Sequence, residues 1–369
     1  MRRISLGLVY FFALIVIATT TATRAQTIDS LDRPALAVIA PEHSVLLDVT
    51  KAGGRIVAVG ERGVITLSDD SGRTWRQASV PASVSLTRVK FATPMVGWAV
   101  GHSGVVLHTN NGGATWTRQL DGITAAKIAE DAAQEDADHA GPSNAEAQRN
   151  LAAAQLLVKD GPDKPFLDLY FESEKVGYVV GAYGLIFRTE DGGAHWASWM
   201  NRVDNPRGMH LYAIAEHGNT IYLAGEQGLF LRSTGDGKFT RIETPYKGTY
   251  FTIAVLPTGE VILGGMRGNA FRSVDEGKSF TKVAVPIPVS LSASTVTADG
   301  TAIFSNQAGQ LLVSRDKGQT MQPTGAIALP PIAGLADIGS GTLMTVGYGG
   351  VIPVPLEILT SNLQSGGAH

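Results

Sequence analysis

The sequence predicts an all-β protein: a seven-bladed β-propeller of four-stranded antiparallel blades, with a helical insertion between blades 2 and 3. Three observations predict it. The octapeptide S-D-D-S-G-R-T-W at Ser68 to Trp75 recurs, with losses, five more times downstream. Each copy follows a short apolar strand that is itself preceded by a G-x-x-G step. Those steps, at Gly60/Gly63, Gly101/Gly104, Gly181/Gly184, Gly225/Gly228, Gly265/Gly268, Asn306/Gly309 and Gly347/Gly350, are spaced about 40 to 44 residues apart, except for one double interval from Gly101 to Gly181. That period is the one expected of four-stranded propeller blades. A blade of this kind buries its faces only against its neighbours, so seven of them must close into a ring.

At 369 residues the chain is longer than an ordinary single domain, but a repeat array uses such length in one body. A formal net charge of −3 argues against a general nucleic-acid binder, which needs a strongly basic face. Residues 1–25 have the parts of an export signal: Arg2 and Arg3, an apolar run from Ile4 to Ala18, and small residues ending at Ala25. Cleavage is expected before Gln26, leaving a periplasmic protein; an uncleaved N-terminal anchor, with peripheral membrane association, is the alternative. There is no cysteine, hence no disulfide, thiolate or lipid attachment site.

Residues 26–43 form an N-terminal segment in which Ala35 to Ala40 is apolar enough for a lone strand. The propeller proper runs over 44–359. Its first unit has strands near Val45 to Val49, Arg55 to Val59 and Val64 to Leu67, with a fourth starting at Trp75, and Gly-rich turns between them. The last unit ends in Val351-Ile352-Pro353-Val354-Pro355 without a polar turn. The N-terminal strand is therefore expected to complete the last blade and latch the ring. A flexible tail is expected over 360–369.

The polar turns carry Asp70, Asn111, Asp191, Asp275 and Asp316 at their third position, where a carboxylate or amide accepts backbone N–H groups inside the turn. Glycine at the fifth position supplies a backbone region closed to other residues. Trp75, Trp116, Trp196 and Phe280 then cover the hairpin. This is the Asp-box pattern, and repetition makes its acids structural rather than catalytic. The fourth copy, Ser233 to Phe239, is one residue short and should differ in shape.

The double interval holds the insertion, residues 121–164. Ala125, Ile128 and Ala132 have helical spacing, a second stretch runs from Ala145 to Val158, and Gly141-Pro142 separates them, so two helices are expected. The first is acidic, with Glu130, Asp131, Glu135, Asp136 and Asp138, as a solvated face or a docking surface would be. In a meander blade the turn between strands two and three lies at the end that links to the next blade. The insertion therefore shares that end with the turn residues Arg62, Tyr183 and Arg267 and the inter-blade residues Arg202, Arg207, Tyr246 and Lys247. Variable loops on a rigid ring are where ligands bind, which makes these the candidate partner-binding residues.

No nucleophile elbow and no phosphate-cradling loop appears, and the histidines are scattered, so no cofactor, metal or catalytic set is expected. One enzyme class remains as an alternative, a sialidase-like glycoside hydrolase acting on acidic sugars, because Asp boxes occur in such propellers. It would need an arginine cluster and a tyrosine nucleophile with an acidic partner. A structural surface protein is a third reading. Arg188, Arg232 and Arg272 each precede the residue that opens a polar turn, and this repetition favours a structural or shared surface role.

With its Asp boxes, the V-G-W-A-V-G-H-S-G stretch at Val96 to Gly104 and the V-G-Y-V-V-G-A-Y-G stretch at Val176 to Gly184, the chain resembles the photosystem II stability and assembly factor family. The resemblance covers roughly Ser44 to Leu359. It implies a non-enzymatic assembly factor that binds a segment of a membrane or envelope protein, with arginines in the binding surface and Arg188, Arg232 and Arg272 as candidates; apart from the resemblance, a monomer with no nucleic-acid partner is expected. The family has relatives in bacteria that do not photosynthesise, so photosynthesis in this host does not follow.

Overall fold

The computed structural model describes residues 30–233, 237–324 and 329–360. The export signal, the expected cleavage site, the tail beyond 360 and the middle of the fourth polar turn lie outside the described residues. Seven antiparallel sheets are present among the described residues, six of four strands and one of three, each a simple meander. The innermost strands are Leu46–Ala52, Leu86–Phe91, Phe166–Phe171, Leu211–His217, Tyr250–Val255, Leu291–Val296 and Ile332–Asp337. Each packs against the next, and the last packs against the first, so the ring is closed.

The core explains why the second strand of each blade reads as an unbroken apolar run. Along Arg55–Gly60, Val57 and Val59 face blade 2 while Ile56 and Ala58 face blade 7, because side chains alternate across a strand. Both faces of a blade are therefore buried, and a strand buried on both faces needs no polar alternation. The buried apolar residues fall into seven clusters, one per blade interface. The G-x-x-G step has an equally local cause. A side chain at Gly101 would stand 2.2 Å from the Ser85 carbonyl oxygen, and Gly104 turns the chain at φ +63°.

The insertion forms two helices, α1 (Gly122–Ala140) and α2 (Ala145–Asp160). Asp121 caps α1 by accepting the Thr124 N–H at 3.0 Å, and Asn144 caps α2 through the N–H groups of Glu146 and Ala147. Ala125, Ala126 and Ala129 of α1 and Leu157 of α2 join the cluster between blades 2 and 3, so the hairpin is packed onto the ring.

One expectation fails. Ala35 to Ala40 forms no strand and does not join the last blade, whose sheet has three strands, ending at Gly350–Pro355. The cause lies in Pro353 and Pro355. A proline fits a ladder only where its missing N–H points away from the partner strand, so these two blank the outer edge that a fourth strand would use. The N-terminal segment instead lies along blade 1: Ala35 N–H donates to the Val80 carbonyl, and Gln77 holds Leu36 and Val38. It reaches blade 2 through Arg118, which binds the Leu31 carbonyl at 2.7 Å, and blade 7 where Pro41–His43 meets Gly350–Pro355.

Candidate functional site

The two ends of the ring are built differently. At the Asp-box end the same hydrogen-bond set recurs. Ser68 Oγ donates to Asp70 Oδ1 and accepts the Gly72 N–H; Asp70 in turn accepts the N–H groups of Arg73 and Thr74 and the Thr74 hydroxyl. Asp275 and Asp316 repeat this with Ser279 and Thr320. Asp191 uses His195, and Asn111 reverses the last bond by donating its amide to Thr115. The Thr74 hydroxyl and N–H hold the Asp70 carboxyl well below the ordinary range. Asp275 is drawn down to about 2, the hydrogen bonds from Ser279 and Ser273 outweighing a burial effect that acts the other way. The box aromatics seal blade interfaces: Trp116 stands edge-on to Phe91 at 6.1 Å, and Phe280 to Phe230 of the preceding blade at 4.8 Å. Trp75 and Trp196 join the interfaces with the preceding blades in the same way.

The three turn-preceding arginines are engaged at this end. Arg232 donates to the Glu276 carbonyl at 2.8 Å and to its carboxylate at 3.0 Å, in the next blade's polar turn. Arg272 likewise binds the Lys317 carbonyl of the blade after it. Arg188 pairs with Glu190 and lies 4.8 Å over the Trp199 ring. They serve as brackets between blades or beside them, each on a different interface, and do not converge on one patch.

Within the channel, Arg88 of blade 2 stands between Asp48 of blade 1 at 3.5 Å and Asp168 of blade 3 at 3.3 Å. Asp48 also accepts the Val89 N–H, and Asp168 that of Ile214 in blade 4. Burial pushes the Asp168 carboxyl up while Arg88 and Lys90 oppose it. Innermost strands do not pair with one another, so these side chains tie four blades together. Sequence reasoning missed this hub, although an acid two residues into an otherwise apolar strand was its signal.

A glycosidase of that class needs a tyrosine nucleophile with an acidic partner. Tyr170 is influenced by Glu216 and Glu172, but burial first, and then those carboxylates, push its hydroxyl up from its ordinary value. Among the described residues no group of three metal-ligating side chains is assembled.

The opposite end, the loop face, carries the other candidates. In five blades the turn after the second strand holds a non-glycine residue with φ of +53° to +57°: Arg62, Ser103, Tyr183, Gln227 and Arg267. Their side chains are thereby presented on separate blades. Arg207 binds the Gln227 side chain, Lys247 pairs with Glu243, and Tyr246 donates to the Met266 carbonyl while packing on Phe271. Arg202, expected on this face, instead stacks on Trp199 at 5.0 Å, the ring that Arg188 also covers, with its guanidinium beside Gly237 of the fourth polar turn. Of these candidates Tyr183 borders the insertion, together with the Asn201–Gly208 loop. Between them and the helices lies a cleft of about 110 Å³, walled by Ala129, Ala133, Ala153, Met200 and Pro206 and bridged by Asn201 donating to Asp136 at 2.6 Å.

From Tyr183 a row of rings leads to the channel mouth. Tyr183 meets His210 at 5.0 Å, His210 meets Tyr212 at 6.1 Å, and Tyr212 meets Phe251 at 5.3 Å. Sequence reasoning missed the last three. Every innermost strand carries a bulge at its second residue, which moves that residue out of the alternation a sequence pattern relies on.

Residues 31–128 and 148–321 match the family model described as photosynthesis system II assembly factor YCF48. The photosystem II assembly lipoprotein Ycf48 of Synechococcus sp. (strain CC9902) is 25% identical over 158 residues, 42% of this chain and 47% of that protein, so the match spans about half of that relative. Among solved structures, "YCF48 bound to D1 peptide" shares 16% identity at a TM-score of 0.62, over 87% of this chain and 98% of that one. YCF48 from Cyanidioschyzon merolae gives 16% and 0.61, over 86% and 96%. At these identities the structural likeness shows the fold. The WD40 propeller of Doa1, at 11% identity and a TM-score of 0.58, over 88% and 95%, shares it too.

Proposed function

Because the chain belongs to the photosynthesis system II assembly factor YCF48 family, we propose that it is an exported binding propeller that holds a segment of a membrane or envelope protein during that protein's assembly or transport. The observation that carries this reading is the division of labour between the ends of the ring. At one end the polar side chains are consumed by the fold; at the other, half-exposed rings and a cleft are left for a ligand. The solved relative described as bound to a D1 peptide supports a peptide-sized partner. The residues 1–25 signal supports action in the periplasm, as a soluble monomer after cleavage. The protein acts without catalysis in this reading, in keeping with a family described as assembly factors.

Affinity capture from detergent-solubilised membranes of the native host tests it. One membrane or envelope protein should be enriched by the wild-type propeller and competed away by excess untagged propeller. Turnover of a fluorogenic sialoside without any specific capture would replace this reading with the glycosidase.

A further inference from the structure

The second residue of the innermost strand occupies one structural position in all seven blades: Leu47, Thr87, Leu167, Tyr212, Phe251, Ser292 and Ala333. What the fold asks of that position is modest. Thr87 and Ser292 use it to donate to the first carbonyl of the next innermost strand, Phe166 at 2.8 Å and Ile332 at 3.0 Å, and blade 7 is content with alanine. Blades 4 and 5 alone place large rings there, half-exposed and adjoining. They continue a row through His210 to Tyr183, which also borders the cleft beneath the insertion. Blade packing supplies no reason for such an uninterrupted row on one sector of a repeated ring.

We propose that this sector of the loop face, from the insertion across blades 3 to 5, is a track for an extended segment of a partner protein. The segment carries apolar or aromatic side chains on one edge and a lysine or arginine at the insertion end. The proposal rests on the binding function argued above and assigns its surface. The rings follow one another at 5.0, 6.1 and 5.3 Å, closer than the roughly 6.5 Å at which alternate side chains of an extended strand recur, so they give one edge of such a strand a continuous apolar strip. The alanine-walled cleft accepts one apolar side chain from the same edge. Charge fixes the direction: residues 121–164 hold nine acidic against four basic side chains, and Asp136 lines the cleft itself. Next along the track, Arg207 is held by Gln227, and Glu226 faces His210 at 3.5 Å. A cation on the ligand is therefore complemented best beside the insertion, where acids outnumber bases and where Lys164, 5.1 Å over the Tyr183 ring, is itself paired with Asp160 and Asp163.

The test uses a fluorescein-labelled Lys-Phe-Ala-Phe-Ala-Phe peptide, with controls in which glutamate replaces the lysine or serine replaces the phenylalanines. Wild-type protein should bind the probe more tightly than either control. The double substitution Tyr212→Thr with Phe251→Ser installs the residues that blades 2 and 6 carry at this position, so the fold accommodates it. Removal of two aromatic contacts should weaken the probe about tenfold. Tyr183→Gly, which relaxes a left-handed turn, should weaken it as well and covers the case in which the double variant does not fold. Equal binding of the three peptides, or unchanged binding by the variants, overturns the track. If the double variant still captures the membrane partner as wild type does, the binding function stands and the track falls. If wild type captures no partner, both fall.

Discussion

The Asp-box end and the loop end of this propeller are made by the same repeat, yet they obey opposite rules. At the Asp-box end one solution recurs: a hydroxyl opens the turn, a carboxylate or amide closes it, and an arginine or aromatic reaches across to a neighbouring blade. At the loop end the repeat fixes only the backbone, and the residue at each crest is free to be Arg62, Ser103, Tyr183, Gln227 or Arg267. In a ring built by repetition, a feature shared by all blades reports what closes the ring, and a feature confined to one sector reports what the ring is for. Arg232 and Tyr212 illustrate the contrast. The first looks like a binding residue in the sequence and is consumed by a turn in the next blade; the second sits in an unremarkable strand and faces the open mouth.

Substitutions sharpen that contrast, in descending order of expected effect. Trp116→Ala removes a ring that is 4% exposed at the blade 1/2 interface and should cost about 3–5 kcal/mol in denaturant unfolding, with probe binding unchanged wherever the protein is folded. Arg88→Met strands Asp48 and Asp168 in the channel and should cost about 3 kcal/mol by the same assay. Arg232→Ala removes two hydrogen bonds to the next blade and should cost about 1–2 kcal/mol. Acidification gives a graded version. The Asp-box acids Asp191 and Asp275 have folded-state values of about 2, below the ordinary value near 4, so the stability they contribute is complete above that ordinary value. It is lost as pH falls from about 4 through about 2. Thermal melts from pH 6 to pH 2 should show a shallower acid limb for Asp275→Asn with Asp316→Asn, since Asn111 already makes this turn with an amide. Smallest of all, Tyr183→Gly should leave the melting temperature unchanged or slightly raised, because glycine adopts φ near +57° without strain.

The fold was legible because its signals are local. The G-x-x-G steps, the polar turns and the helix break at Gly141-Pro142 each specify a turn within a few residues, and counting turns counts blades. The N-terminal segment was misread because pairing is not local: Ala35 to Ala40 has strand-like composition, but Pro353 and Pro355, far along the chain, deny it a partner edge. The site was less legible than the scaffold. Tyr183 and the Asn201–Gly208 loop are placed by topology, whereas Tyr212 and Phe251 come together beside His210 only because a bulge turns the second residue of each innermost strand toward the mouth. Arg232 and Arg272 advertise charge in the sequence, but the carbonyls that bind them belong to the next blade, 44 and 45 residues on.

A crossed comparison tests the division between the two ends most directly: melting temperature and binding of the Lys-Phe-Ala-Phe-Ala-Phe probe, measured for Arg232→Ala and for Tyr212→Thr with Phe251→Ser. The predicted result is that Arg232→Ala melts earlier and binds as wild type does, while the loop-end pair melts as wild type does and loses the probe. Loss of the probe by Arg232→Ala at an unchanged melting temperature, together with undiminished binding by the loop-end pair, would contradict the account.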